Sequence, residues 1–103
     1  MNYFCYILYS KSINRYYTGY TSYLNERLRL HNQGHFGGKS FTRRASDWEI
    51  YLSIQCKTIE QAIYFESRIK RMKSRPYIEN LKKYPVLIEK IMTDFDRKAL
   101  SGD

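Results

Sequence analysis

Residues 3–9, Tyr-Phe-Cys-Tyr-Ile-Leu-Tyr, form a near-continuous apolar and aromatic run of strand length, and RYYTGYT (15–21) is a second. The polar segment SKSIN separates them, so residues 3–20 read as a β-hairpin with a short loop. WEIYLSIQC (48–56) alternates well enough to be a third strand. Between hairpin and third strand the period changes. On a wheel of about 100° per residue, residues 22–32 place Tyr23, Leu24, Leu28 and Leu30 on one apolar arc. Thr21 or Ser22 is positioned to cap this helix, which should end near Asn32 to Gly34. Residues 33–44 hold three glycines and three basic residues without a period and read as a loop.

Thr58 and Gln61 make a capping-box pattern that opens a second helix to about Lys73, with Ile59, Ala62, Ile63 and Ile69 as its buried arc. Ser74 and Pro76 restart the chain as a short helix to about Tyr84, and Pro85 opens a last one. There Leu87, Ile88, Ile91, Met92 and Phe95 form an amphipathic stripe, read as packing on the domain, with a dimer surface as the alternative. The order β-β-α-β-α-α-α predicts an α+β fold, a small three-stranded antiparallel sheet flanked by helices. Residues 1–84 make the domain, 85–100 the helix packed on it and 101–103 a frayed tail.

Some polar residues break these patterns. Arg27 and His31, four apart, project side by side from within the leucine arc of the first helix, so they are expected to line a cleft. Glu66 lies at the centre of the second helix's apolar arc. A carboxylate there needs a paired charge or a bound cation. Either a structural ion pair, with Arg27 as one partner, or a cation site satisfies it.

Composition then narrows the partner. The 103 residues include 18 Lys and Arg against 10 Asp and Glu, a formal +8. Such a surplus favours a polyanion, either nucleic acid or an acidic membrane surface. Eleven tyrosines among the basic residues suit stacking on bases, although most also suit half-buried strand positions. Arg68, Lys70, Arg71, Lys73 and Arg75 crowd into RIKRMKSR. Part of this run complements a helix C-terminus, and the remainder suits phosphate contacts. Lys39, Arg43 and Arg44 lie in a loop that reads first as a plain connector and, as the alternative, as a basic loop able to close on a phosphodiester backbone. GKS (38–40) resembles the end of a P-loop, but Gln33 stands where that motif needs Gly, and a helix precedes it where the motif needs a strand.

No run approaches the ~20 apolar residues that span a bilayer, and MNYFCYILYS lacks the basic start and cleavage site of a signal peptide. A cytoplasmic protein without a membrane partner, monomeric or weakly dimeric, is expected. Cys5 and Cys56 are far apart and should be reduced, partly buried thiols. His31 and His35 have H-x3-H spacing, but no close cysteine pair completes a zinc site.

Arg, His and Glu rising from helix faces beside a tyrosine-rich hairpin suit phosphodiester hydrolysis. One carboxylate can hold a divalent cation when water and phosphate oxygens fill the other positions. Arg can neutralise the transition state, and Tyr or His can handle the proton of the attacking water. Dispersed cysteines and the lack of paired acids on one face argue against thiol chemistry and glycoside hydrolysis.

From Tyr3 to Arg75 the chain resembles a GIY-YIG nuclease domain of the small, stand-alone bacterial kind. Phe4-Cys5-Tyr6 stands at the first motif and keeps its Tyr. Tyr17-Thr18-Gly19 stands at the second and keeps Tyr and Gly. Residues 21–32 match the helix bearing the family's Arg and His, at Arg27 and His31, and AIYFESRIK matches the helix with the metal-binding Glu, at Glu66. The resemblance implies a metal-dependent endonuclease on DNA with low sequence specificity, with structure-selective repair or recombination as a role. A non-catalytic nucleic-acid-binding module of the same fold and an RNA-directed nuclease are the alternatives. By the same resemblance Tyr6 and Tyr17 flank the attacking water, with Tyr17 as base and His31 as alternative proton acceptor or phosphate contact. Arg27 would stabilise the scissile phosphate, and Glu66 would bind one Mg²⁺ or Mn²⁺. The first motif lacks its Gly and Ile, and Tyr20 stands where some relatives carry a Lys. Asn80 is a loose match to a downstream Asn of many members.

Overall fold

The computed structural model of the chain describes residues 2–34 and 41–100. His35, Lys39, the GKS run and the expected tail at 101–103 lie outside the described residues. The fold is the expected α+β arrangement, with strands β1 (Tyr3–Ser10), β2 (Arg15–Thr21) and β3 (Trp48–Cys56) in the antiparallel order β2-β1-β3. The central position of β1 explains its unbroken apolar run. A strand covered on both faces has no solvent side to alternate toward.

One face of the sheet contributes Cys5, Ile7, Ile54 and Cys56 to a core with Ala62, Phe65, Ile69, Leu81 and Ile91. The other contributes Tyr6 and Leu8, which pack with Trp48 and the partly buried Leu24, Leu28 and Phe41. Both cysteines are free and buried, and burial pushes the Cys5 thiol far above the ordinary range. Helices α2 (Ile59–Met72), α3 (Arg75–Lys83) and α4 (Pro85–Leu100) cover the first face; α1 (Leu24–Asn32) covers the second.

Local signals hold at most helix ends. Thr58 Oγ1 accepts from the Gln61 amide at 3.1 Å while Gln61 Oε1 accepts from the Lys57 amide at 2.8 Å. Ser74 Oγ accepts from the Tyr77 amide, with Pro76 in the first turn of α3. The apolar stripe of α4 faces inward: Ile91 is buried, Leu87, Ile88 and Met92 pack on the core, and Phe95 meets Tyr64 edge-on at 5.3 Å. Among the described residues no helix is long and apolar enough to cross a membrane.

Three readings are corrected. α1 begins at Leu24, and neither Thr21 nor Ser22 caps it. Thr21 is paired with Phe4 in the sheet, where its hydroxyl accepts from the Tyr23 amide at 3.0 Å, and Tyr23 occupies the N-cap with no side-chain cap. Tyr23 is accordingly 66% exposed, outside the buried arc. On α2 the buried side chains are Gln61, Ala62, Phe65 and Ile69, while Ile59 and Ile63 are exposed. The helix turns its largest apolar ring, Phe65, into the sheet and gives up the smaller isoleucines. Finally, the expected loop ends in a 3-10 helix, Phe41–Arg44, held by tertiary contacts that a local period does not encode.

Phe65 is fully buried where α2 meets the sheet. Phe65→Ala should cost about 3–5 kcal/mol, read as a lower urea midpoint at unchanged slope.

Candidate active site

Tyr6 is the pivot of the second face. It sits on the central strand, 1% exposed, opposite Gly19 in the β1–β2 ladder. A Cβ at Gly19 would lie 2.5 Å from Tyr6 Oη and 2.7 Å from Cζ. The phenol therefore lies across a position that only glycine leaves open. The ring reaches His31 on α1, where Tyr6 Oη and His31 Nε2 are 3.0 Å apart. His31 is itself buried, and its Nδ1 meets Thr42 Oγ1 at 2.8 Å. The Thr42 carbonyl in turn accepts from Trp48 Nε1 at 2.9 Å, and the Asn32 side chain bonds both the amide and the carbonyl of Trp48. Through these bonds β3 and the 3-10 helix lock the C-terminal end of α1, and with it the imidazole.

Tyr17, beside Tyr6 on β2, stacks at a tilt on the same imidazole, centroids 5.0 Å apart. Lys70 Nζ lies 5.8 Å from the centre of the Tyr17 ring and 3.4 Å from Glu66 Oε2. Glu66 is 19% exposed and Lys70 51%. The ion pair drawn for Glu66 is thus with Lys70, four residues on, where Arg27 was the suggested partner. Arg27 and Glu66 act on the Tyr6 phenol with opposite sign, so both stand within Coulombic reach of it. Burial outweighs Arg27 and holds that phenol protonated, well above the usual tyrosine range. Arg27 also lines a cavity of about 230 Å³ with Tyr3, Tyr20 and Tyr23 at its rim.

Burial, reinforced by Arg27, pushes the His31 pKa down to about 4. The imidazole is neutral at pH 7, and with both nitrogens bonded within the protein it is not presented to a phosphate. When Nδ1–H donates to Thr42, Nε2 accepts the hydrogen bond from the Tyr6 hydroxyl.

As a metal site the constellation is spare. Among the described residues no three His, Cys, Asp or Glu side chains form a cluster that could hold an ion. A single partly exposed carboxylate does fit Mg²⁺ or Mn²⁺, which keep several waters and take phosphate oxygens. The Lys70 ammonium beside it marks a position where positive charge is already favoured.

Tyr6, Tyr17 and His31 are brought into contact, and Glu66 joins them through Lys70. The other basic residues scatter. Arg43 and Arg44 flank a separate cavity at the end of α1, Arg44 lying over Phe41. Arg68 is tied to Asp94 on α4 at 2.6 Å and to Tyr64 Oη. Arg71 is exposed, and Lys73 caps the C-terminus of α2. Sequence reasoning missed Thr42 and the double role of Lys70. No signal in the chain marks Thr42, whereas a glycine inside a strand is a sign of close approach that fits Gly19.

Residues 2–82 match the family model of the GIY-YIG catalytic domain. The chain is also similar to the UPF0213 protein from Bacillus halodurans, whose solution structure was determined by NMR. The two share 30% identity over 81% of this chain and 84% of that one, with a TM-score of 0.50. No curated protein matches.

Two outcomes follow for the buried ring cluster. Gly19→Ala must displace the Tyr6 ring, so it should cost about 1–3 kcal/mol and shift the Tyr6 and His31 side-chain resonances together. His31 carries a pKa lowered from 6.5 to about 4, so the unfolded chain binds the proton first. Stability is fully present above pH 6.5 and falls as the pH drops toward 4, by on the order of 3 kcal/mol. Urea melts across this window should show the loss in the wild type and a much smaller one in His31→Gln.

Proposed function

The chain belongs to the GIY-YIG nuclease family, and from that premise we propose that it is a divalent-cation-dependent endonuclease hydrolysing DNA phosphodiester bonds with low sequence specificity. The observation that carries this reading is the contact of Tyr6 with His31, seated over Gly19 and flanked by Tyr17, within electrostatic reach of both Arg27 and Glu66. A binding module has no need of a partly buried carboxylate near its phosphate site. A hydrolase does.

In the proposed mechanism Glu66 holds Mg²⁺ or Mn²⁺, which supplies Lewis-acid stabilisation to the phosphate when bound. Arg27, half-buried at the rim, neutralises charge that develops on the scissile phosphate. Tyr6 and Tyr17 orient the attacking water. The 3.0 Å hydrogen bond to His31 fixes the Tyr6 phenol, which burial keeps protonated, so the partly exposed Tyr17 is the base proposed to take the water's proton. Lys70 balances the charge of Glu66, the residue that would hold the cation.

The test compares wild type with Glu66→Ala on supercoiled plasmid, with Mg²⁺ or Mn²⁺ and with chelator. Nicking by the wild type alone, abolished by chelator, is expected, with DNA binding retained in the variant. Nicking by Glu66→Ala at the wild-type rate would sink the assignment. Faster cleavage of RNA than of DNA would move the substrate to RNA.

A further inference from the structure

Beyond the proposed catalytic centre, a cleft of about 300 Å³ opens between β2 and the junction of α2 with α3. Its floor is Tyr16, Ile69 and Ile78, and four cations line it: Arg15, Lys70, Lys73 and Arg75. No carboxylate is among its described lining residues. Lys70 belongs to both places, facing Glu66 and Tyr17 on one side and the cleft on the other.

The other cations are held there by neutral groups, Arg75 lying over the Tyr16 ring at 5.0 Å, while the nearby Glu79 accepts from the Tyr16 hydroxyl at 3.2 Å. Among the described residues, no ion pair joins Arg15, Lys73 or Arg75 to a carboxylate. The guanidiniums of Arg15 and Arg75 both donate to the carbonyl of Asn14, at 3.2 and 2.8 Å, and Arg75 adds a bond to Asn14 Oδ1 at 2.8 Å. Two like charges gathered on one neutral carbonyl repel each other unless an anion lies between them.

Backbone conformation points the same way. Asn14, next to the cleft residue Arg15, and Lys73, which lines the cleft, are the non-glycine residues with positive φ among those described, at 52° and 47°. Asn tolerates the left-handed region; Lys gains nothing from it, and a helix C-cap of this kind favours glycine. At this position Lys73 adds its ammonium to three further cations.

We propose that this cleft is a phosphate subsite for the nucleic acid backbone, gripping the strand that carries the scissile bond at a phosphate away from the cut. The inference deepens the nuclease reading and rests on it for the identity of the strand. Glu66 and Lys73 are seven residues apart, about 10 Å along the helix axis. That separation places the gripped phosphate away from the scissile one.

Lys73→Gly gives a clean test, because it removes the ammonium and relieves the backbone at once. The variant should melt at a higher temperature than wild type yet bind a labelled oligonucleotide more weakly in chelator. The slope of log K against log salt should shrink by about 0.7–0.9, the value of one phosphate contact. Arg15→Gln should reduce the slope by a similar amount, and each variant should raise KM for nicking more than it lowers kcat. In amide shift mapping, the oligonucleotide should perturb Arg15, Lys73 and Arg75 at concentrations where inorganic phosphate does not. Wild-type affinity and slope in both variants, or equal perturbation by inorganic phosphate and oligonucleotide, would overturn the subsite. Failure of the nuclease reading shows separately: binding and its dependence on Lys73 would persist while neither wild type nor Glu66→Ala cuts.

Discussion

A phenol and an imidazole almost wholly covered by the packing around them must satisfy each other's hydrogen bonds. The contact of Tyr6 with His31 imposes this condition, and much of the second face of the sheet follows from it. Tyr6 can lie flat toward α1 only because Gly19 presents no Cβ. His31 can receive it only because Thr42 holds the other nitrogen and Trp48 and Asn32 anchor the helix end. The 3-10 helix exists where it does to supply Thr42 and Phe41 to that face.

The same burial sets the chemistry. It keeps the phenol protonated and the imidazole neutral, so the hydrogen-bonded pair stores no net charge in the core. Charge is kept at the margin, where it is cheaper. Glu66 and Lys70 face each other at the partly exposed end of the site, and the half-buried Arg27 stands within Coulombic reach of Tyr6 and His31. From Lys70 the positive surface runs on into the cleft between β2 and α3. A polyanionic strand crossing this edge would meet the four cations that line the cleft.

How much of this was legible beforehand differs by residue. Arg27, His31 and Glu66 stood out because each broke an apolar helical arc, and all three lie at or beside the site. The period survived even where its details failed: α2 buries Phe65 where the pattern favoured Ile59 and Ile63, yet Glu66 still lies along the sheet-facing side. Tyr6 and Tyr17 were singled out only by resemblance to a family, since eleven tyrosines offer a pattern no way to choose among them. Arg68 looked like a phosphate contact and is instead bonded to Asp94, 26 positions along the chain. A charge run shows how many cations are present and is silent on which acids the fold returns to them.

By itself the sequence determined the elements, their order and the anomalous polar residues, because strand and helix periods, caps and turns act over a few neighbouring positions. Tertiary structure alone decided that β1 is central, that Tyr6 rather than Tyr17 holds His31, that Lys70 answers Glu66, and that Arg15 and Arg75 meet at Asn14. Each of these depends on register or on contacts between residues distant in the chain. Such choices are made by the packing of the whole domain, where the competing pairings differ in buried area and clash while the local preferences of the chain are the same for all of them.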